Sequence, residues 1–458
     1  MDDAPRANSL GRRDAAVLLH PYTDALANER DGALVITHGE GVTVTDETGK
    51  TYIEAMAGLW CVSLGFGEAR LAEAAARQMR TLPFYHGFNQ KSHPPQIALA
   101  ERLLRLAPVP MARVFFANSG SEANDTAIKL VWYYNNAVGR PEKKKIIGRV
   151  RGYHGITLAA ASVTGQTHNH AAFDLPLPGF VHTDCPHFAR NAAPGESEAD
   201  YATRCAESLE RLIVAEGPET VAAFFAEPVM GAGGVILPPA TYFEKIQAVL
   251  AKYDVLFVVD EVICGFGRTG SMWGSETYRL RPDILTTAKA LSSGYLPISA
   301  VLISEPVYRA VAAKSAEVGM FGHGFTYSGH PVAAAVALET LAIYDEIDLI
   351  GRVRATAPHL QAGLARFAGH ALTGEIAGVG MLSVCELVAD KETRAPFPPG
   401  RRVGQALAGF AQDEGLIVRA LGDRVAFSPP LIITPAEIDE MYARFGRALD
   451  RTAAWLAR

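Results

Sequence analysis

Two carboxylates and a distant lysine stand out in this chain of 458 residues. The apolar run Val255-Leu256-Phe257-Val258-Val259 leads directly into Asp260-Glu261, and a glycine-rich stretch follows to Gly270. Further on, Asp283-Ile284-Leu285-Thr286-Thr287-Ala288 leads into Lys289. An apolar run that ends in acid and then glycine reads as a buried parallel strand delivering its last residue to the C-terminal edge of a sheet. Open α/β sheets bind their ligands at that edge. A buried carboxylate and a lysine amine at neighbouring strand ends have a specific use. The carboxylate keeps a pyridine nitrogen protonated and the amine forms a Schiff base, which together are what pyridoxal 5'-phosphate (PLP) requires.

Three further runs place chemistry at strand ends. Arg113-Val114-Phe115-Phe116-Ala117-Asn118-Ser119-Gly120-Ser121-Glu122 reads as strand, glycine turn and helix. Ser119 or Ser121 can cap that helix, Gly120 lets the backbone approach a ligand, and free N–H groups at a helix start suit a phosphate. Arg151-Gly152-Tyr153-His154-Gly155 follows a strand predicted over Lys145–Val150, so Tyr153 can lie flat on an aromatic ring. His154 reads equally as a support for the site and as a structural hydrogen-bonding residue. Ala226-Glu227-Pro228 ends another apolar run in a carboxylate.

In this order and spacing the runs resemble class III aminotransferases. Asp260 and Lys289 stand 29 residues apart, and Lys289-Ala290-Leu291-Ser292-Ser293-Gly294 continues the likeness. The resemblance covers nearly the whole chain and implies a fold-type-I PLP-dependent transferase. It gives Lys289 to the Schiff base, Asp260 to the pyridine nitrogen, and Gly120 and Ser121 to the phosphate. Tyr153 and Val262 are expected on the two ring faces, with Glu227 near the cofactor. Thr326, in Gly324-Phe325-Thr326-Tyr327, would give its hydroxyl to the phosphate of a neighbouring subunit, which implies a homodimer with shared sites or a homotetramer. Met56-Ala57-Gly58-Leu59-Trp60 resembles the ω-transaminase subgroup, which acts on amine and pyruvate or ω-amino acid and pyruvate. There Trp60, Tyr22 and Phe88 match pocket aromatics. Arg419 matches a mobile arginine that pairs with a keto acid's carboxylate and swings away for an amine lacking one; a guanidinium offers a bidentate, always-charged fork. The implied reaction moves an amino group from a primary amine or ω-amino acid to pyruvate, by way of pyridoxamine phosphate, releasing an aldehyde or ketone and alanine. Aminomutase or decarboxylase chemistry on the same scaffold, and a non-catalytic PLP-binding protein, remain alternatives. The donor stays open among β-alanine, putrescine, taurine and aryl-alkyl amines.

Positioning these residues requires an α/β fold with a mostly parallel, doubly wound sheet and a smaller α+β domain. Candidate strands are Arg113–Ala117, Lys145–Val150, Ala222–Ala226, Val255–Asp260, Ile284–Thr287 and Ile298–Ile303, with helices between them at Glu122–Asn135 and Tyr242–Lys252. Residues 1–70 are expected to hold a short helix at Ala15–Asn28 and a hairpin turning at His38-Gly39-Glu40-Gly41, and to pack with the small domain. Residues 71–333 form the large PLP-binding domain. Residues 334–458 hold two long helices, strands near Gly380–Leu387, Leu416–Ala420 and Arg424–Ser428, and a closing helix at Ala436–Leu456. Composition agrees with a globular protein: 49% of residues are hydrophobic, 20% are charged, and the net charge is −6. The one basic block, Lys143-Lys144-Lys145, reads as a solvated loop, which argues against nucleic acid as a partner. No apolar run reaches the roughly 18 residues of a membrane span, and the polar start Met1-Asp2-Asp3-Ala4-Pro5-Arg6 lacks a signal-peptide core. The five scattered cysteines suit reduced thiols in the cytoplasm. His182, Asp184, Cys185 and His187 match no standard metal-ligand spacing and read as a polar surface loop.

Overall fold

The computed structural model describes residues 9–458; Met1–Arg6 and the rest of the first eight residues lie outside it. In chain order the strands are β1 (Ile36–Glu40), β2 (Thr43–Asp46), β3 (Thr51–Glu54), β4 (Arg113–Ala117), β5 (Lys145–Arg149), β6 (Phe180–Thr183), β7 (Val221–Ala226) and β8 (Leu256–Asp260). They continue with β9 (Ile284–Thr287), β10 (Ser299–Ile303), β11 (Thr373–Val379), β12 (Leu382–Leu387), β13 (Leu416–Ile417), β14 (Arg419–Leu421) and β15 (Arg424–Phe427). The central sheet runs β4-β10-β9-β8-β7-β5-β6. All its pairs from β9 to β6 are parallel, and only β10 runs against its neighbours.

Burial on both faces explains why the central strands are apolar without alternation. Along β8, Phe257 and Val259 face a cluster with helices Glu198–Glu216 and Tyr242–Lys252. Leu256 and Val258 face the opposite cluster, which includes helices Gly120–Ala137 and Glu305–Val318. Strands β4, β5, β7, β8 and β9 share one direction, so their C-terminal ends meet along one edge.

Two smaller sheets complete the fold. One runs β1-β2-β3-β13, with β13 parallel to β3 through Leu416–Ile53 and Ile417–Glu54. The other, β11-β12-β15-β14, is antiparallel throughout. The single strand expected over Leu416–Ala420 is therefore two, and the chain changes sheets at Val418. Helix Pro331–Glu346, which starts with proline at its first turn, spans the expected break at 333/334, and helix Ala69–Thr81 spans that at 70/71.

Four local readings need correction. The helix expected over Ala15–Asn28 is two, Leu10–Ala15 and Ala25–Asp31. Pro21 pushes His20 out of the helical region, and Asp24 caps the second helix through its carboxylate. The hairpin turns at Gly41-Val42, between the paired residues Glu40 and Thr43, so His38-Gly39-Glu40 lie inside β1. The lysine triplet is not solvated: Lys143 Nζ donates to the Tyr253 carbonyl, and Lys145 Nζ pairs with Glu216 at 2.8 Å. The His182–His187 segment is not a surface loop either. His182 belongs to β6, and Cys185 and His187 are 5% and 3% exposed. Among the described residues no cluster of His, Cys, Asp or Glu could hold a metal ion, and no helix is long and apolar enough to cross a membrane.

Candidate active site

Asp260 ends β8 and is 4% exposed. Its Oδ1 accepts from the Val262 N–H at 3.0 Å. Oδ2 accepts from Asn124 Nδ2 at 2.8 Å and from His154 Nδ1 at 2.9 Å. An ionised carboxylate only accepts, so Nδ1 of His154 carries the proton. Asn124 is fixed in turn: its Oδ1 accepts from Thr286 Oγ1 at 2.8 Å, and its Nδ2 also reaches the His154 carbonyl. His154, left undecided by the sequence, is thus a support of Asp260. Asn124 was missed. The available signal was its place one turn inside a glycine-started helix, where an asparagine is a poor helix former.

Lys289 follows β9, the strand beside β8, with a left-handed φ of 48°. It makes no ion pair among the described residues, and burial pulls its ammonium below the ordinary lysine range. A lysine so placed releases its proton more readily and becomes a nucleophilic amine. Its Nζ lies 5.4 Å from the centroid of Trp60, and the Arg419 guanidinium carbon lies 4.9 Å from the same centroid. Trp60 therefore contacts both the lysine amine and the guanidinium. Arg419 opens β14, is half-buried, and is also pulled down by burial.

The strand-to-helix turn after β4 meets the same space. Ser119, not Ser121, is the cap, accepting from the Glu122 N–H at 3.2 Å. A Cβ on Gly120 would stand 3.1 Å from Val262 Cγ1, so glycine keeps this helix end close to the valine. Ser121 Oγ accepts from the Ile156 N–H, tying the helix to the loop that carries Tyr153. Glu227, at the end of β7, steadies that loop: Oε1 accepts from the Tyr153 N–H at 3.1 Å and Oε2 from the Gly231 N–H at 3.0 Å. Burial pushes its carboxyl above the usual range.

A cavity of about 1110 Å³ joins these groups. Gly120, Ser121, Tyr153, Glu227, Asp260, Val262 and Lys289 line it, as do Tyr22, Trp60 and Arg419. Tyr22 reaches it from the break between the two N-terminal helices, anchored by its hydroxyl on Asn169 Oδ1 at 2.7 Å. Phe88 and Thr326 do not line it. Both are exposed, and they belong to adjoining segments, since a Cβ on Gly324 would meet Phe88 at 3.0 Å. Glu54, a second residue the sequence reading missed, lines the cavity while 4% exposed. Its carboxylate accepts from the Met56 N–H at 3.3 Å and from the Gly58 N–H, and so clamps the turn that presents Trp60. That turn is strained, with left-handed φ at Ala57 (49°), Gly58 (67°) and Trp60 (58°).

The donor set fits a flat, anionic pyridine aldehyde. It has an amine without an ion-pair partner among the described residues, a carboxylate anchored by three donors, a helix N-terminus kept close to Val262 by glycine, and an aromatic and a valine lining one cavity. The class-III aminotransferase family model matches residues 25–449. The chain is 52% identical to the chloroplastic gamma aminobutyrate transaminase 3 of Solanum lycopersicum, over 95% of this chain and 84% of that protein. It resembles the omega transaminase of Pseudomonas jessenii, solved in complex with PMP, at 55% identity and a TM-score of 0.97, covering 98% of this chain and 99% of that one. A thermostable omega transaminase variant engineered for asymmetric synthesis of enantiopure bulky amines matches at the same identity and TM-score, with 98% of this chain and all of that one covered.

Proposed function

Because this chain belongs to the class-III aminotransferases, which use PLP to move amino groups, we propose that it takes the amino group of a primary amine or ω-amino acid and delivers it to pyruvate. The observation that carries this reading is that Lys289 and Arg419 both lie within 5.4 Å of the Trp60 ring centroid in one cavity. An apolar wall beside the amine-handling lysine suits an amine's substituent, and a guanidinium against the same wall suits a keto acid's carboxylate. The engineered omega transaminase is changed at a tryptophan, a phenylalanine and an arginine, with the same intervals between them as Trp60, Phe88 and Arg419 here. The tomato relative's name adds γ-aminobutyrate to the ω-amino acid donors worth testing.

In this reading PLP, when bound, supplies the carbonyl that takes the amino group and the ring that accepts the charge left on the substrate carbon. Lys289 anchors the cofactor and then moves the proton at that carbon. Asp260 keeps the proton on the pyridine nitrogen, and Asn124 and His154 fix the carboxylate that does so. The helix start at Gly120 and Ser121 receives the phosphate. Tyr153 and Val262 cover the ring faces, and Glu227 orders the Tyr153 loop. Thr326 and Phe88 serve the site of a second subunit, making the protein a homodimer. A cytoplasmic setting is supported by five free cysteines, four of them buried.

The test is a pair of half-reactions. Holoenzyme is exposed to β-alanine, γ-aminobutyrate, putrescine, taurine and 1-phenylethylamine in turn, and loss of the cofactor's absorbance is followed. Pyruvate or 2-oxoglutarate is then added. Recovery with alanine formation is expected with pyruvate; absence of alanine from every donor would overturn the acceptor. Arg419→Ala should leave the 1-phenylethylamine half almost unchanged. It should raise the apparent KM for pyruvate by the equivalent of about 2–5 kcal/mol, the loss for truncating one side of a buried charge pair.

A further inference from the structure

A second cavity, of about 550 Å³, adjoins the first and shares Arg151, Arg402, Gln405, Leu421 and Gly422 with it. Its wall carries the guanidiniums of Arg151, Arg190, Arg402 and Arg424 against the carboxylates of Glu386 and Asp423. Part of this charge is matched internally. Arg190 pairs with Glu386 at 3.0 Å, and Arg424 Nη1 pairs with Glu375 at 2.6 Å and Glu386 at 3.1 Å. Asp423 is engaged elsewhere, accepting from the Gly404 N–H at 2.9 Å.

What remains is cationic. Among the described residues the guanidiniums of Arg151 and Arg402 enter no ion pair and no hydrogen bond, although burial depresses that of Arg151 from its ordinary value. Arg424 has a side chain only 2% exposed, yet its Nη2 is buried without a partner. The two guanidiniums converge. A Cβ on Gly234 would meet Arg424 Cδ at 2.8 Å and Arg151 Nη2 at 3.2 Å, so glycine is what lets them approach. Like charges brought together with donors unspent make a site for an anion.

We infer that this second cavity binds a carboxylate, held by Arg151 with Arg402 at its rim, while the buried charge of Arg424 next to Arg151 adds to the attraction. A planar guanidinium fork matches a carboxylate in shape and charge. The shared wall with the first cavity favours that anion, an argument that rests on the proposed amino-transfer substrates. Two sources have the same chemistry. One is the distal carboxylate of a dicarboxylic substrate seated in the first cavity, and the other is a separate carboxylate from solution.

Calorimetric titration of the holoenzyme with glutarate and with valerate, of equal chain length but one carboxylate, separates these sources. A distal carboxylate predicts that glutarate binds about tenfold tighter than valerate, as a charge-assisted hydrogen bond would give, and that Arg151→Gln removes this advantage. A separate carboxylate predicts two valerates per protomer, one of them lost in Arg151→Gln. Arg402→Gln, at an exposed position, carries the same test if Arg151→Gln does not fold, with a smaller loss expected. Glutarate and valerate isotherms unchanged in the folded variants overturn the inference. Binding heat does not depend on turnover, so failure of pyruvate as acceptor would leave this result readable.

Discussion

Asp260 is held by three neighbours, of which Asn124 carries no recognisable motif. With Asn124, His154 and the Val262 N–H all donating to it, its carboxylate is fixed before any ligand arrives. Asp260→Asn would place an amide against these donors and could not hold a proton on a pyridine nitrogen. Removing one side of a buried charge pair is worth about 3–5 kcal/mol, or roughly 10²–10⁴-fold in rate. Near-normal turnover in a cofactor-loaded Asp260→Asn variant would refute the role. Lys289→Ala should abolish turnover while PLP still binds non-covalently, and borohydride reduction should fix the cofactor on no other lysine. Glu54 offers a test independent of activity. Burial pushes its carboxyl from 4.5 up to about 7, against the opposing pull of the Gly58 and Met56 N–H groups. The folded state therefore holds a proton that the unfolded chain has already released. Stability from this group is complete below the unfolded value and is lost as pH rises through the folded one, by on the order of 3 kcal/mol. Glu261, also raised to about 7 by burial, has the same sign. Urea unfolding between about pH 5 and about pH 8 should show a shallower decline in Glu54→Gln than in the parent; equal declines would mean that Glu54 ionises normally.

Secondary-structure elements bring the chemistry together through their ends, and their ends differed in how well the sequence revealed them. The strands β4, β8 and β9 were legible because each is a short apolar run stopped by a polar residue, and Asp260 and Lys289 were legible with them. The strand β6 was not, since Phe180-Val181-His182-Thr183 is half polar and lies between loops. Only its pairing with β5 defines it. Leu416–Ala420 reads as one strand because periodicity reports burial and says nothing about which sheet a residue joins. Asn124 and Glu54 act through buried hydrogen bonds, which leave no spacing to detect. The Ser119 cap was narrowed to two serines because either could reach a free N–H. Ser119→Ala should cost about 1 kcal/mol of stability. It should also speed PLP release on dialysis, since the freed helix start would no longer hold Gly120 and Ser121 in place. Faster release from Ser121→Ala alone, with Ser119→Ala unchanged, would show that the cap does not matter to the cofactor.

At the scale of the molecule, Thr326 and Phe88 lie outside the cavity of their own chain, next to further exposed aromatics at Phe84, Tyr85 and Tyr327. In the proposed dimer, Thr326→Ala removes one hydrogen bond to the partner's phosphate, worth about 1 kcal/mol and so about fivefold in PLP retention. Hybrids of Thr326→Ala with Lys289→Ala subunits decide the matter. If the threonine is shared, the one site that keeps Lys289 is intact, and it should retain PLP and turn over as in the parent. If that site shows the Thr326→Ala defect instead, each subunit is self-contained. The parallel pairing of β13 with β3 has a consequence for how such a protein is made. Ile53 and Leu416 are joined in one sheet, yet the ribosome delivers them far apart in time. At about 5–20 residues per second the first three strands wait roughly 20–70 s for their fourth. Trp60 leaves β3 and Arg419 follows β13, so the walls of the proposed substrate pocket cannot meet until residue 419 has been made. A nascent chain can hold the central sheet, with Asp260 and Lys289 already aligned, before it has any means of choosing between amines and keto acids. The groups that would choose between substrates are therefore joined later than the groups that would carry the chemistry.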